Sequence, residues 1–139
     1  MKTDSRPAYV LDSFAVLSLL EGEPGADAVR AILDAAGAGQ AEVLLCVVNY
    51  GEALYITERE RGLEETHRAI AAVEQWPLRL VDADRPLALS AAHFKARFPI
   101  SYADAFALAL AQAHRAKVVT GDPEFRKTEA VVPVEWLPR

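Results

Sequence analysis

The chain has 139 residues, of which 52% are hydrophobic and 25% are charged, and its formal net charge at pH 7 is −5. This length suits one domain, which we place at residues 1–139, and the composition excludes a disordered chain. The acidic balance also excludes indiscriminate binding to nucleic acid, because affinity for a polyphosphate comes largely from Lys and Arg.

The N-terminal stretch Met1 to Pro7 is polar and precedes no apolar signal core. No apolar run approaches the ~18 residues that a membrane span requires. We therefore expect a cytoplasmic protein without membrane contact. Cys46 is the only cysteine and lies inside an apolar run, so we expect a buried thiol rather than a disulfide or a reactive group.

The first half of the chain alternates short apolar runs with segments of helical period, as repeated β-α units do. Tyr9 to Leu11 predicts a first strand, and helices are predicted from Phe14 to Gly22 and from Ala26 to Ala36. The run Val43 to Val48 is typical of a strand covered on both faces. We expect it to be the central strand.

A pair of polar residues marks the start of the next helix. Asn49 is followed three residues later by Glu52, which is the spacing of an N-cap and an N3 residue. This helix should end at Arg61 before Gly62, and a further helix should extend from Leu63 to Trp76.

The second half of the chain continues the alternation. Strands are predicted at Leu78 to Val81, Lys117 to Thr120 and Val131 to Trp136. A helix capped by Asp82 or Asp84 should run to Phe98, and Ser101 with Asp104 marks the start of an alanine-rich, buried helix. The pattern predicts an α/β fold around a mostly parallel sheet.

Four acidic residues stand where a strand-like run ends or a helix begins: Asp12, Glu52, Asp104 and Asp122. Because the carboxyl ends of parallel strands meet at one edge of a sheet, we expect these side chains to converge there. Each one also has a purely structural interpretation, as a helix cap, an N3 residue or a turn residue. Clustered carboxylates repel one another, and a divalent cation is the usual remedy. One or two Mg²⁺ or Mn²⁺ ions would suit a phosphodiester displacement.

Four short segments in family order resemble the PIN domain, and specifically the VapC-type toxins of bacterial toxin–antitoxin pairs. They are Val10-Leu11-Asp12-Ser13, Asn49-Tyr50-Gly51-Glu52, Ser101-Tyr102-Ala103-Asp104-Ala105 and Val119-Thr120-Gly121-Asp122-Pro123-Glu124-Phe125. The resemblance implies a three-layer α/β/α sandwich, a four-acid Mg²⁺ or Mn²⁺ site and endoribonuclease activity. Thr120 matches a hydroxyl residue that supports the site.

The same resemblance implies partners. We expect an RNA substrate, a cognate antitoxin whose C-terminal segment lies in a groove near the first helices, and a homodimer. Apolar residues on the helix faces also favour the dimer. Arg126 and Lys127 follow Asp122 and are the basic residues best placed to meet an RNA phosphate. Glu124 is either a further, outer carboxylate or a solvated helix-start residue, and the sequence favours the second interpretation.

Other functions explain fewer residues. Phosphoryl transfer through an aspartyl phosphate usually requires a second Asp two residues after Asp12, where this chain has Phe14. A dinucleotide-binding domain would carry GxGxxG after the first strand, and this chain does not. The non-enzymatic alternative is a PIN-like module that binds RNA or protein without cleaving it. Cleavage of structured RNA that depends on Mg²⁺ or Mn²⁺ distinguishes the two.

Overall fold

A five-stranded sheet runs through the computed structural model, which describes residues 5–139. The first four residues of the predicted domain, and of the polar stretch Met1 to Pro7, lie outside the described residues. The strands are β1 (Ala8–Leu11), β2 (Glu42–Cys46), β3 (Arg79–Val81), β4 (Lys117–Thr120) and β5 (Val134–Trp136). Their order across the sheet is β3-β2-β1-β4-β5, and neighbouring strands within the described residues are all parallel.

Helices connect the strands and cover both faces of the sheet. They are α1 (Ser13–Glu21), α2 (Ala26–Gly37), α3 (Val47–Arg61), α4 (Leu63–Val73), α5 (Arg85–Arg97) and α6 (Tyr102–His114). A 3₁₀ helix (Pro123–Thr128) lies between β4 and β5. The predicted three-layer α/β/α sandwich is therefore confirmed.

Two hydrophobic cores lie on opposite faces of the sheet, because successive strand residues point in opposite directions. In β1, Val10 packs with α5 and α6, whereas Leu11 packs with α1 and α2. The same alternation occurs in β2 and β4. Since both faces are covered, the buried positions of these strands, apart from Thr120, are consecutive apolar residues instead of alternating with polar ones.

The second apolar run differs from the prediction in two ways. The strand ends at Cys46, whose extended backbone (φ −72°, ψ 139°) precedes the first helical residue, Val47. The central position belongs to β1, with β2 beside it. The apolar run does not reveal where the strand ends and the helix begins, because Val48, although helical, still packs against a core as a strand residue would.

Asn49 is consequently the third residue of α3 and not its N-cap, so Glu52 lies in the second turn and not at N3. Asn49 is fully buried, and its Nδ2 atom donates a hydrogen bond to the carbonyl oxygen of Ala103, 3.0 Å away. The residue thus connects the first turn of α3 to the first turn of α6. Its capping role in the prediction is wrong, and its actual role is a contact between helices.

Several other boundaries follow local rules. Asp84 caps α5, since its Oδ1 atom accepts from the backbone N–H of Leu87 at 3.0 Å. Helix α4 ends at Val73, three residues before the predicted Trp76. Strand β5 begins after Pro133, which has no N–H to give to the sheet. No helix in residues 5–139 has the length and apolar character needed to cross a membrane.

Candidate active site

Two of the predicted acids follow neighbouring strands. Asp12 comes directly after β1, and Asp122 comes two residues after the end of β4. Because β1 and β4 are paired in parallel, both residues lie at the C-terminal edge of the sheet. The backbone N–H of Asp12 reaches across to the carbonyl oxygen of Val119 at 3.4 Å.

The Asp12 side chain is buried and caps α1, with its Oδ1 atom accepting from the N–H of Ala15 at 2.8 Å. Burial raises the pKa of Asp12 to about 7, and the charges of Asp122 and Glu52 act in the same direction. Hydrogen bonds from Thr120 and Ala15 oppose this shift. Asp12 therefore lies close enough to two other predicted acids to feel their charges.

Asp104 joins this group from the first turn of α6. Its N–H donates to Oγ of Ser101, the N-cap, at 3.1 Å, as the capping-box spacing predicts. The pKa of Asp104 is raised to about 8, and burial is the largest cause. A hydrogen bond with Glu124 and the charges of Asp12, Glu124 and Asp122 act in the same direction. The carboxyl group is therefore mostly protonated at neutral pH when no cation is present.

Glu124 belongs to the same group, although the sequence favours a solvated helix-start residue. It does begin the 3₁₀ helix, but its Oε1 atom accepts from the N–H of Ser101 at 2.9 Å. The hydrogen bond with Asp104 and the one from Ser101 lower the pKa of Glu124, and the charges of Lys127 and Lys95 add to this effect. Glu124 is thus a partly exposed helix-start residue that also contacts Asp104.

Glu52 is tied to the start of α1 by a residue to which the sequence assigns no role. The hydroxyl of Ser13 donates to Oε1 of Glu52 across a distance of 2.6 Å. The only sequence signal for Ser13 is its place directly after Asp12. We refer to Asp12, Glu52, Asp104, Asp122 and Glu124 as the acidic cluster.

Thr120 lies where the resemblance predicts a supporting hydroxyl. The residue is fully buried at the end of β4, and its Oγ1 atom accepts from the N–H of Asp122 at 3.0 Å while hydrogen bonding the Asp12 carboxylate. Asp122 in turn accepts the N–H of Glu124 on Oδ1 at 2.9 Å. A chain of hydrogen bonds thus fixes Asp12 and Asp122 relative to each other.

The two predicted substrate-binding residues both lie on the 3₁₀ helix, with exposed side chains. Lys127 donates from Nζ to the carbonyl oxygen of Pro99 at 3.0 Å, and the guanidinium of Arg126 lies 4.8 Å from the ring centroid of Trp136. Neither side chain forms a salt bridge with the acidic cluster within the described residues.

The acidic cluster offers only oxygen donors, which suit Mg²⁺ or Mn²⁺. In residues 5–139, no three His, Cys, Asp or Glu side chains are already spaced so as to hold a metal ion. Asp12, Asp122 and Glu52 each direct one carboxylate oxygen at a protein donor. The donor set and the raised pKa values of the two buried acids fit a cation, which would relieve the repulsion.

Comparisons with solved structures agree with the fold. VapBC2 from Rickettsia felis, bound to a DNA fragment of its promoter, matches with a TM-score of 0.75 and 14% identity over 94% of this chain and 99% of that chain. VapC20 from Mycobacterium tuberculosis, described as a toxin that cleaves the sarcin-ricin loop, gives 0.72 and 18% over 94% and 99%. DNA-bound VapBC from Salmonella typhimurium gives 0.72 and 18% over 93% and 97%.

At these identities the structural likeness concerns the fold. No curated protein matches the sequence significantly. A family model, that of the PIN domain, matches residues 9–131, which cover most of the chain and include all four segments that carry the resemblance. The chain therefore belongs to the PIN domain family.

Proposed function

We propose that this protein is an endoribonuclease that depends on Mg²⁺ or Mn²⁺ and acts as the toxin of a toxin–antitoxin pair. The observation that carries the proposal is the electrostatic coupling of the predicted acids: Asp12 and Asp104 both have raised pKa values, and Asp122 contributes to both shifts. Membership of the PIN family and the likeness to VapC structures support it.

In this proposal Asp12, Glu52, Asp104 and Asp122 would hold the cation. A bound Mg²⁺ or Mn²⁺ supplies Lewis acidity at the phosphoryl oxygens and lowers the pKa of water. Thr120 orients the Asp12 carboxylate, and Ser13 orients that of Glu52. Asp104, whose pKa is raised in the absence of a cation, would give up its proton on cation binding.

Replacing Asp104 by Asn tests the proposal at its centre. The variant keeps the shape of the side chain but cannot ionise to hold a cation, so we expect at least a hundredfold loss of Mg²⁺-dependent or Mn²⁺-dependent cleavage of a structured RNA, on the order seen when a preorganised electrostatic group is lost. A chelator should abolish cleavage by the parent. Asp27→Asn is the matched control, because Asp27 is an exposed residue of α2.

If Asp104→Asn cleaves as fast as the parent at the same Mg²⁺ concentration, the four-acid site is wrong. If the parent binds RNA but never cleaves it with either cation, the non-cleaving PIN-like module is the correct alternative. Unchanged unfolding transitions in both variants would show that the comparison concerns the site and not the fold.

We further propose that a cognate antitoxin covers a cleft of about 360 Å³ between α1 and α3. Apolar surface comes from residues such as Phe14 and Ile56. Three glutamates, Glu21, Glu23 and Glu60, outnumber the one basic lining residue, Arg139. An amphipathic segment with basic side chains complements this lining. Phe14 also touches the turn before Asp122, since a Cβ built on Gly121 would lie 2.5 Å from its ring. The cleft thus leads toward the acidic cluster.

An Arg or Lys of the antitoxin placed against the acidic cluster should compete with the cation. We therefore expect excess Mg²⁺ to weaken inhibition, and we expect mutation of that basic residue to Ala to restore cleavage more than it loosens the complex. Cleavage and binding are measured in parallel over a Mg²⁺ titration. Affinity that is unchanged at every Mg²⁺ level, with cleavage intact in the complex, would exclude direct occupation of the site.

A further inference from the structure

Two lysines bond to the loop between α5 and α6, which leads directly into the helix that carries Asp104, and an arginine lies within two residues of each lysine in the chain. We refer to Lys95, Arg97, Arg126 and Lys127 as the basic rim. Lys95 and Arg97 come from the last turn of α5, and the other two come from the 3₁₀ helix. All four are exposed, and two separate segments of the chain thus supply positive charge to one place.

The two lysines hold the backbone of this loop. Lys95 donates from Nζ to the carbonyl oxygen of Ile100 at 2.6 Å, and Lys127 donates to that of Pro99 at 3.0 Å. Each ammonium group has three donors, and one of them makes this bond. The next residue, Ser101, gives its N–H to Glu124. The loop is therefore fixed both to the basic rim and to the acidic cluster.

The two arginines are held by aromatic rings. The guanidinium of Arg97 lies 5.1 Å from the ring centroid of Phe98, and that of Arg126 lies 4.8 Å from the centroid of Trp136. A guanidinium stacked on a ring keeps its edge N–H groups available, and its restricted motion lowers the entropy lost on binding an anion. This arrangement suits contacts to phosphate oxygens.

The positive charge of the basic rim contrasts with the net negative charge of the chain. The chain carries a net charge of −5, yet four of its fifteen Lys and Arg residues belong to the two segments whose lysines bond to this loop. Lys95 and Lys127 bond to the carbonyl oxygens of Ile100 and Pro99, and Ser101 in the same loop gives its N–H to Glu124 of the acidic cluster. A polyanion that approaches the acidic cluster without a cation would be repelled, whereas phosphates beside the reacting one would meet the basic rim.

We propose that the basic rim binds the phosphates of an RNA strand next to the phosphate that reaches the acidic cluster. This inference rests on the proposed function, because it takes RNA as the substrate. The acidic cluster then determines which phosphodiester bond is cut. The basic rim attracts the neighbouring phosphates, although the chain as a whole is negatively charged.

The test compares two double variants that each remove two positive charges. Arg97→Gln with Arg126→Gln leaves both lysine contacts of the loop in place. The control is Arg59→Gln with Arg115→Gln. Arg59 lies 5.1 Å from the ring centroid of Tyr55, as Arg97 does from Phe98, and Arg115 follows the far end of α6. At 1.5 Å per residue, that end is about 20 Å from the first turn.

Binding is measured by fluorescence anisotropy with a labelled RNA hairpin, over a salt titration and in chelator so that nothing is cleaved. For the rim variant we expect about tenfold weaker binding at low salt, and a plot of log affinity against log salt that is shallower by about 1.4 to 1.8, which corresponds to two lost phosphate contacts on single-stranded or duplex RNA. The control should stay within about twofold of the parent, since a surface charge away from the contact makes only a long-range contribution.

Steady-state cleavage in Mg²⁺ provides a second readout. The rim variant should raise KM with kcat nearly unchanged, because the rim binds RNA in the ground state and does not touch the reacting phosphate. Equal losses in the two double variants would overturn the basic rim while leaving the ribonuclease proposal intact. A parent that never cleaves RNA, but whose binding depends on the rim and not on the control pair, would overturn the ribonuclease proposal and support the rim.

Discussion

Asp104 and Glu124 are held against each other at the start of α6, and their pKa values are displaced in opposite directions. Such a pair retains one proton near neutral pH, because two adjacent charges at a buried position are costly. Burial raises the pKa of Asp104, whereas the hydrogen bond with Asp104 and the one from Ser101 lower the pKa of Glu124. A carboxyl pair of this kind is ready to exchange its proton for a cation.

Gly121 permits the close approach of the β4 end to α1. A Cβ at this position would lie 2.5 and 2.6 Å from two ring atoms of Phe14, which is closer than real contacts allow. We expect Gly121→Ala to lower the free energy of unfolding by about 1 to 3 kcal/mol, as overpacking does, and to reduce cleavage by displacing Asp122. Denaturant unfolding and RNA cleavage measure the two effects.

Gly51 supplies the control for this substitution. It lies inside α3, and a Cβ added there would meet nothing within 4 Å, so Gly51→Ala should leave stability unchanged or raise it by up to about 1 kcal/mol. If Gly121→Ala were as stable and as active as Gly51→Ala, the contact with Phe14 would not constrain the site.

At the scale of elements, helix caps that act locally are predictable from the sequence, whereas the role of Asn49 after β2 is not. Caps at Asp12, Asp84 and Ser101 are predictable, because each acts within three residues along the chain. Asn49 has the residue type of a cap, but it is used for a contact with Ala103, 54 residues away. A single sequence carries no local signal for such a partner.

The same limit applies to the candidate site. Asp12, Glu52, Asp104 and Asp122 are found from the ends of predicted elements and from family resemblance. The hydroxyl of Ser13 meets Glu52 only after α1 and α3 pack together. The environment of Glu124 likewise depends on the loop before α6. Short polar residues beside an acid are too common in turns to be singled out by type.

The C-terminal edge of the sheet should make the metal-free fold sensitive to pH. The folded-state pKa values of Asp12 and Asp104, about 7 and about 8, lie above the ordinary aspartate value of 3.8. The folded state therefore binds more protons than the unfolded state, and stability is present at low pH and lost as pH rises through these values. In chelator, we expect the free energy of unfolding to fall between about pH 4 and about pH 8 by more than about 1.4 kcal/mol, the equivalent of a single pKa unit.

Asp12→Asn should flatten this decrease, because Asn retains the helix cap without a charge. Asp27→Asn should behave as the parent, and added Mg²⁺ should restore the stability of the parent at high pH. Thermal or urea unfolding across the pH series provides the measurement. A parent whose stability rises over this interval in chelator would contradict the raised pKa values.

At the scale of the whole molecule, we predict a homodimer. Seven large hydrophobic side chains are exposed in the described residues, and five of them lie on helices, with Leu89 67% and Leu63 55% exposed. The seven are Tyr55, Leu63, Ile70, Leu80, Leu89, Tyr102 and Val131. Association would remove part of this surface from water. Light scattering should give twice the 15.1 kDa chain mass, and a monomer mass across micromolar concentrations would contradict the prediction.

The strand order also determines when, during translation, the acidic cluster can form. Asp12 and Asp122 are about 110 residues apart in the chain, and they meet only when β4 docks against β1. Synthesis proceeds at roughly 5 to 20 residues per second, so an emerging chain carries its first acid for several seconds before the last one exists. Under the proposed function, a nascent polypeptide is therefore harmless to the RNA around it, including its own message, until translation has passed β4. That interval leaves time for an inhibitor to bind α1 and α3 before the acidic cluster is complete.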